Sequence, residues 1–264
     1  MRLAVTTPLR PTPGEEDAAR AAAARHGLPY VPRGRRALEA ALAQAGAGAG
    51  LVLSAGGAVL SVAGDARRWS PGMGLLRAKR ARALLRGAAA APDARDPFLE
   101  AAGIREGDHV LDCTLGLGAD ALVAAVAAGP SGRVVGIEAS PLLAAWVAEG
   151  LRRLGDEAAS RIEVWSGDHA GLLAGLPERS FDVVVFDPMF RHARAEPPGF
   201  DVVRRLADPR ALSAGALSRA RRVARRWVVV KDGAPGWDLA RLGLTPLPSA
   251  RGAHRYYARI PAGA

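Results

Sequence analysis

The sequence predicts an α/β protein built on a mostly parallel β-sheet, and three observations lead to this fold class. From residue 108 onward, short apolar segments alternate with helical segments, which is typical of consecutive βαβ units. A glycine-rich turn at 114–118 follows the first apolar segment. Two further apolar segments, 242–247 and 254–260, predict a C-terminal antiparallel hairpin. We therefore expect a seven-stranded sheet with a small α/β unit in front of it.

The N-terminal region has its own pattern of short elements. We expect a strand at 3–7, helices at 15–26 and 35–44, and a hairpin of 51–53 with 58–62 around Gly56-Gly57. A basic helix at 75–85 and an Ala/Pro-rich linker follow. The predicted domains are a small α/β unit at 1–65, the basic helix and linker at 66–97, and the main domain at 98–264.

Five parallel strands form the expected core of the main domain. They lie at 109–114, 133–138, 161–165, 181–186 and 227–231. The helices between them lie at 119–128, 141–154, 169–176 and 213–224. Pro141 is well suited to a first helical turn.

Composition limits the classes of function. The chain has 264 residues, 49% of them hydrophobic, which is enough for a large core. A single cysteine excludes an internal disulfide, and the five histidines lack zinc-ligand spacing, so we expect no metal site. We find no signal-peptide or membrane-spanning pattern and expect a cytoplasmic protein with no membrane partner. Oligomeric state stays open.

The net charge of +10 comes almost entirely from arginine, and the only lysines are Lys79 and Lys231. Two basic clusters lie at 67–86 and 191–210, and further arginines follow the second cluster at 219–226. They fit a nucleic-acid partner or a solvated helix face, and the sequence leaves both readings open.

The glycine-rich turn predicts a nucleoside-binding crevice. Gly116 and Gly118 permit backbone angles closed to other residues and let a ligand approach the main chain. Glu138 follows about twenty residues later, a spacing typical of an acid that binds ribose hydroxyls. Asp112, just before the turn, would repel a pyrophosphate. It suits a ligand with a cationic end, such as S-adenosylmethionine (SAM).

Four acids follow strand ends, which converge on one crevice in an open α/β sheet. We expect Asp112 near the methionine part of SAM, Glu138 at the ribose and Asp168 near the adenine amine. For Asp168, an N-cap of the helix that begins at His169 is an equal alternative.

The fourth acid, Asp187, begins the tetrapeptide Asp187-Pro188-Met189-Phe190. This resembles the Asp/Asn-Pro-Pro-Tyr/Phe motif of methyltransferases that act on planar exocyclic amines. The Asp187 carboxylate and the Pro188 carbonyl would accept the two N–H bonds of such an amine and turn its lone pair towards the methyl group. Phe190 would stack on the base. A plain turn with Phe190 in the core is the alternative.

The chain resembles the small-subunit ribosomal RNA guanine-N2-methyltransferase J family. The matching stretches are LDCTLGLGAD at 111–120, VFDPMF at 185–190 and RWVVVK at 226–231, with softer matches GGA at 56–58, the basic stretch after Pro71, and HRYY at 254–257. The resemblance implies a Rossmann-like class I methyltransferase fold, SAM as cofactor and RNA, expected to be small-subunit ribosomal RNA, as partner.

The expected site residues form three groups. The cofactor contacts are Asp112, Thr114, Gly116, Gly118, Asp120, Glu138, Ala139, Asp168, His169 and Asp187. The catalytic residues are Asp187, Pro188 and Phe190. The RNA contacts are Arg77, Lys79, Arg80, Arg191 and Arg194.

The chain departs from the family pattern at several positions. Ala119 replaces a usual Arg, Ala139-Ser140 replaces a typical Arg-Asn, and an Arg-rich segment at 191–205 replaces a Lys-rich one. These differences leave the base and the RNA open. The alternatives are a methyltransferase for a protein or small molecule, an NAD-dependent oxidoreductase that the glycine spacing alone favours, and a binding protein without catalysis, against which an intact Asp187 argues.

Overall fold

A computed structural model describes residues 2–87, 96–188, 200–248 and 254–263 of the chain. Its described strands form two sheets, one of four strands and one of six. Helices cover both faces of the six-stranded sheet, so the predicted α/β class with a mostly parallel sheet is confirmed.

The N-terminal sheet has the strand order β1-β2-β3-β4, in which β1 and β2 are parallel and the other pairs antiparallel. Its strands are β1 (Leu3–Thr6), β2 (Ala49–Ser54), β3 (Gly57–Val62) and β4 (Asp65–Arg68), and its helices are α1 (Pro13–Arg25) and α2 (Leu38–Gln44). Strand β4 was not predicted from the sequence. The sheet therefore continues to Arg68, beyond the predicted domain boundary at residue 65. Thr12 and Glu15 form a capping box that fixes the start of α1.

The larger sheet has the strand order β10-β9-β8-β5-β6-β7, and only β10 runs antiparallel to its neighbour. The strands are β5 (His109–Asp112), β6 (Arg133–Glu138), β7 (Ile162–Ser166), β8 (Phe181–Phe186), β9 (Ala224–Gly233) and β10 (Arg255–Pro261). The order reverses at β5, between β6 and β8, so the carboxyl ends of these three strands open a crevice.

Nine helices of the described part follow the N-terminal sheet. They are α3 (Gly74–Leu85), α4 (Pro97–Ala102), α5 (Ala119–Ala128), α6 (Pro141–Arg153), α7 (Glu157–Ser160), α8 (His169–Gly175), α9 (Phe200–Leu206), α10 (Ala214–Val223) and α11 (Trp237–Arg241). The predicted helix at 119–128 has the observed bounds of α5, whereas α4, α7, α9 and α11 were not predicted.

The predicted strand at 242–247 does not form, so the described sheet has six strands rather than seven. Pro246 and Pro248 lack the N–H groups that a ladder with β10 would need. Leu247 lies between them and donates its N–H to the Tyr257 carbonyl at 2.7 Å. One hydrogen bond thus replaces the expected hairpin.

Large side chains join the N-terminal sheet to α6. Trp146 donates its indole N–H to the Ala58 carbonyl at 3.1 Å. Trp69 lies so close to Gly150 that a Cβ at that glycine would come within 2.0 Å of its ring. The fully buried carboxylate of Glu149 contacts Arg25 and His26 near the end of α1 and Arg153 of α6. The two sheets therefore share one apolar core.

Within residues 2–87, 96–188, 200–248 and 254–263, every helix is too short or too polar to cross a membrane. The same residues contain no group of three or more His, Cys, Asp or Glu side chains arranged to hold a metal ion.

Candidate active site

The turn between β5 and α5 forms the floor of the crevice. Gly116 and Gly118 have φ values of +51° and +79°, which side chains other than glycine rarely allow. Beside Gly116, the nearest atom to an added Cβ would be the Thr114 carbonyl at 3.9 Å, so the main chain is open to a ligand there. A Cβ on Gly118 would instead touch Val147 at 3.5 Å, on the side facing α6. Gly118 is therefore needed for its backbone angle.

Glu138 ends β6 and faces this turn. One carboxylate oxygen accepts the Gly116 N–H at 3.2 Å, and the other accepts the Ser140 N–H at 2.9 Å. Burial raises the pKa of Glu138, and these hydrogen bonds oppose that effect. Each oxygen keeps a second lone pair, so the carboxylate is oriented to accept hydrogen bonds from a pair of ribose hydroxyls. Ala139 lies between Glu138 and Ser140 and is half-exposed.

Thr114 joins the ends of β5 and β8. Its N–H donates to Asp112 Oδ1 at 3.0 Å, and its hydroxyl accepts the Asp187 N–H at 2.6 Å. Asp112 and Asp187 are therefore held on either side of one residue. The structure thus brings the first and fourth of the predicted acids together.

Burial sets the charge of Asp112. The residue is only 3% exposed, and burial raises its pKa to about 8, with the nearby charges of Asp120 and Asp187 adding to the effect. A carboxyl in this state is mostly protonated at neutral pH without a cation beside it. An approaching ammonium or sulfonium group would favour its ionised form.

Asp120, predicted as a cofactor contact, takes part in a buried network of charges. Its Oδ1 lies 2.5 Å from Arg77 Nη1, and its Oδ2 lies 3.0 Å from Lys231 Nζ. Lys231 also pairs with Asp187 Oδ2. Although burial opposes it, the charges of Lys231 and Arg77 hold the pKa of Asp120 down to about 2. The carboxylate of Asp120 is thus already engaged by two cations.

Asp187 is 28% exposed at the side chain, and the adjacent Pro188 is half-buried. Burial raises the pKa of Asp187, and Lys231 counteracts this. Among the described residues, no group donates a hydrogen bond to its second oxygen, Oδ1. The predicted stacking residue Phe190 and the predicted RNA contacts Arg191 and Arg194 lie outside the described residues.

Asp168 and His169 lie at the end of β7. Asp168 caps α8, because its Oδ1 accepts the Ala170 N–H at 3.1 Å. Its Oδ2 lies 3.3 Å from Arg210 Nη1, in an exposed contact. His169 packs edge-on against Phe186, with ring centroids 5.5 Å apart. The hydrogen bond to the Ala170 N–H therefore supports the capping alternative. A contact from Asp168 to adenine stays a prediction.

The three basic residues of α3 differ in their surroundings. Lys79 and Arg80 are exposed, as expected of phosphate contacts. Arg77 instead lies between Asp96 and Asp120, with 21% of its side chain exposed, and forms two hydrogen bonds to Asp96 at 2.7 and 3.0 Å. Its guanidinium is committed to these carboxylates, so we no longer assign it to RNA.

Two residues of the site were not predicted as functional. Lys231 bridges Asp120 and Asp187, and Arg255 is an exposed cation close enough to lower the pKa of Asp187. Lys231 carried a usable signal, since 34 of the chain's 36 basic residues are arginine and one of its two lysines ends the apolar strand predicted at 227–231. Arg255 is one of 34 arginines, so its residue type did not distinguish it from the others.

The residues present fit SAM. An open stretch of main chain at Gly116, the oriented carboxylate of Glu138 and the buried acid Asp112 match its nucleoside and its cationic methionine end. Three acids, Asp112, Asp120 and Asp187, lie near the enclosed cations Lys231 and Arg77 and the exposed Arg255. The buried Asp112 beside the turn would ionise next to a cationic ligand and would oppose a pyrophosphate placed there.

Curated relatives match parts of the chain. YpiP of Bacillus subtilis, an uncharacterised protein, is 45% identical over 144 residues, which are 52% of this chain and 56% of YpiP. The ribosomal RNA small subunit methyltransferase J of Laribacter hongkongensis is 38% identical over 152 residues, 52% of each chain. That of Alteromonas mediterranea is 35% identical over 105 residues, 38% of this chain and 40% of the relative. The chain thus spans about half or less of the length of these relatives.

A solved structure has a similar fold over nearly the whole chain. The SAM-dependent methyltransferase of Neisseria gonorrhoeae superposes with a TM-score of 0.61 at 19% identity, covering 98% of this chain and 96% of the other. The likeness includes the N-terminal sheet and confirms the Rossmann-like methyltransferase fold. It shows the fold alone.

A family model described as "Putative SAM-dependent methyltransferase" matches residues 84–241, which include the turn at Gly116 and the acids from Asp112 to Asp187. This is more than half of the chain, and the relatives named methyltransferase J agree with the resemblance inferred from the motifs. The chain belongs to the family of SAM-dependent methyltransferases and uses SAM as its cofactor.

Proposed function

We propose that this methyltransferase modifies an exocyclic amine of a base in RNA, with guanine N2 of small-subunit ribosomal RNA as the expected target. One observation carries the proposal. Asp187, next to Pro188, directly follows β8 at the same crevice as the SAM-binding turn, and it is fixed through its backbone N–H and through its carboxylate Oδ2. Its other oxygen is left for a substrate.

SAM supplies an electrophilic methyl group. The residues of the chain have to orient a weak nucleophile, because the lone pair of an exocyclic amine is delocalised into the base. Asp187 Oδ1 and the Pro188 carbonyl would accept the two N–H bonds of the amine. This arrangement directs the nitrogen lone pair towards the methyl group and stabilises the positive charge that develops on nitrogen.

Glu138 and Asp112 would act on the cofactor side. Glu138 accepts hydrogen bonds from the ribose hydroxyls, and Asp112 attracts the cationic methionine end. Thr114 keeps the two sides in register, because it binds both Asp112 and Asp187. Gly116 allows the nucleoside to lie against the main chain.

RNA is supported as the substrate by the names of the relatives and by the surface near the crevice. The start of α3 packs against the start of α5, since a Cβ on Gly74 would lie 2.9 Å from the Ala119 Cα. The exposed Lys79 and Arg80 follow on α3. These cations would bind phosphates, while the crevice would select the base. A paired base must leave its helix to reach the site.

The replacement Asp187→Ala tests the proposal. We expect the variant to bind SAM nearly as the wild type does and to lose most methyl transfer to small-subunit ribosomal RNA, because Asp187 acts on the amine in the transition state. Binding is measured by calorimetry and transfer with a radiolabelled methyl group. Full turnover by the variant would refute the role of Asp187, and efficient methylation of free guanosine with none of RNA would favour the small-molecule alternative.

A further inference from the structure

Lys231 occupies a central position in the buried charge network. Its ammonium group lies 3.0 Å from Asp120 Oδ2 and also contacts Asp187 Oδ2. On the far side of Asp120, Arg77 continues the network to Asp96. Only 10% of the Lys231 side chain is exposed. The network therefore links helix α3 to the end of strand β8, where the substrate is expected.

We propose that Lys231 is a positioning residue that keeps Asp187 ionised and turns its free oxygen towards the amine of the substrate. This inference rests on the proposed function, because it assumes that Asp187 accepts hydrogen bonds from that amine. Lys231 does not touch the substrate. It acts by holding Oδ2, while Thr114 holds the backbone N–H of the same residue.

The position of Asp187 makes such a counter-charge necessary. Several titratable or charged groups face it from the surrounding elements, namely Asp112 of β5, Asp120 of α5, Lys231 of β9, and Arg255 and Tyr257 of β10. Arg77 of α3 joins this group through its ion pair with Asp120. Asp120 is held ionised by its own cations, and a second negative charge so close to it favours protonation of Asp187. A protonated Asp187 would be a poorer acceptor for an amine N–H.

The register of the sheet explains why Lys231 serves this purpose better than its neighbours. Tyr257 pairs with Lys231 across β10 and β9, and Arg255 pairs with Gly233, two residues nearer the carboxyl end of β9. Side chains two residues apart share a face of a strand. Arg255 therefore lies above Lys231 on the same face and is exposed, whereas Lys231 is enclosed and its charge is poorly screened.

A compact ammonium also suits this place better than a guanidinium. It presents three donors from a single atom and so reaches two carboxylates that converge on it. In a chain with 34 arginines and two lysines, the lysine stands where the two carboxylates meet.

The main test compares Lys231→Met with wild type across a pH series. We expect SAM binding to persist, kcat with ribosomal RNA at pH 7 to fall about 100-fold, and the acid limb of the kcat profile to move up by at least about one pH unit. Lys231→Arg keeps the positive charge and should keep the wild-type acid limb. Arg152→Met removes an exposed charge from α6 and is the matched control.

A second variant predicts a shift of opposite sign. Asp120→Asn removes the competing carboxylate, so Lys231 serves Asp187 alone and the acid limb should move to lower pH. A merely structural role would lower activity in both variants without opposite shifts. If Lys231→Met fails to fold, the Lys231→Arg and Asp120→Asn variants still decide the proposal.

The ionisation of Asp187 is also measured without any substrate, by 13C NMR titration of labelled aspartate carboxyl groups, with Asp187→Asn to assign the signal. We expect a higher pKa in Lys231→Met and a lower one in Asp120→Asn. An unchanged titration and an unchanged pH profile in Lys231→Met would overturn the proposal. If wild type fails to methylate RNA, the proposed function fails, while the NMR titration still tests the link between Lys231 and Asp187.

Discussion

SAM should bind more tightly as pH rises towards neutrality, because the site presents a buried acid to a cationic ligand. Asp112 has a pKa of about 8 without ligand, raised mainly by burial. If the methionine end binds beside ionised Asp112, the protein must release a proton on binding. Below the pKa, affinity then follows the ionised fraction of this carboxyl.

The magnitude follows from that pKa. The ionised fraction of Asp112 is about 0.3% at pH 5.5 and about 9% at pH 7.0, a roughly 30-fold difference that corresponds to about 2 kcal/mol of binding free energy. Isothermal titration calorimetry over this interval measures the Kd. Repeating it in buffers with different ionisation enthalpies counts the protons released, which should approach one per SAM bound.

The variant Asp112→Asn provides the control. Its amide oxygen still accepts the Thr114 N–H, but it carries no charge, so it should bind SAM weakly and with little dependence on pH through this residue. A wild-type affinity that stays constant from pH 5.5 to 7.0, or a variant that keeps the full pH dependence, would refute the reasoning.

The same substitution has a consequence for stability. The folded-state pKa of Asp112 lies above its unfolded value of about 3.8, so the wild type loses stability as pH rises from there towards 8. Asp112→Asn has no charge to desolvate. Without SAM, its free energy of unfolding should therefore decline less over this interval than that of the wild type, which urea unfolding at several pH values measures.

Three further predictions concern other parts of the molecule. Glu138→Ala should weaken SAM binding by about 1–3 kcal/mol, because hydrogen bonds to a charged acceptor are lost; calorimetry showing wild-type affinity in the folded variant would remove the ribose role. Glu149→Gln should lower the free energy of unfolding, measured with urea at pH 7, by roughly 3 kcal/mol, because Glu149 is the fully buried centre of an ion cluster. The control Glu157→Gln, at an exposed position, should change it by less than about 0.5 kcal/mol. Equal effects of the two substitutions would show that the buried cluster does not stabilise the fold. Replacing Lys79 and Arg80 with Ala should reduce the salt dependence of RNA binding and leave SAM affinity unchanged, and filter-binding curves with the wild-type slope would place these cations outside the RNA interface.

Much of the fold could be predicted because its signals are local. The glycine turn after β5, the strand at 133–138 and the helix at 119–128 each follow from a short pattern, and all three were found at the expected places. The strand at 242–247 failed because an apolar pattern does not show whether backbone donors are available. Pro246 and Pro248 remove them, and this should have weighed against the strand.

The site was only partly predictable, for a different reason. Acids at strand ends can be found from spacing, as Asp112 and Glu138 were. Ion-pair partners that come from distant elements cannot be found in this way. Arg77 was expected to contact RNA, although Asp96 and Asp120 enclose its guanidinium. A charge in the sequence does not reveal whether it will be satisfied internally.

The central claim is that the crevice beside Asp187 transfers a methyl group from SAM to an exocyclic amine of RNA. It is tested most directly by nucleoside mass spectrometry of ribosomal RNA from small subunits of a strain lacking this protein, incubated with the purified enzyme and SAM carrying a deuterated methyl group. We expect the label in N2-methylguanosine with wild type and its loss with Asp187→Ala. Label on a ribose hydroxyl, on a ring carbon, or in no nucleoside while a protein or small molecule is labelled would contradict it.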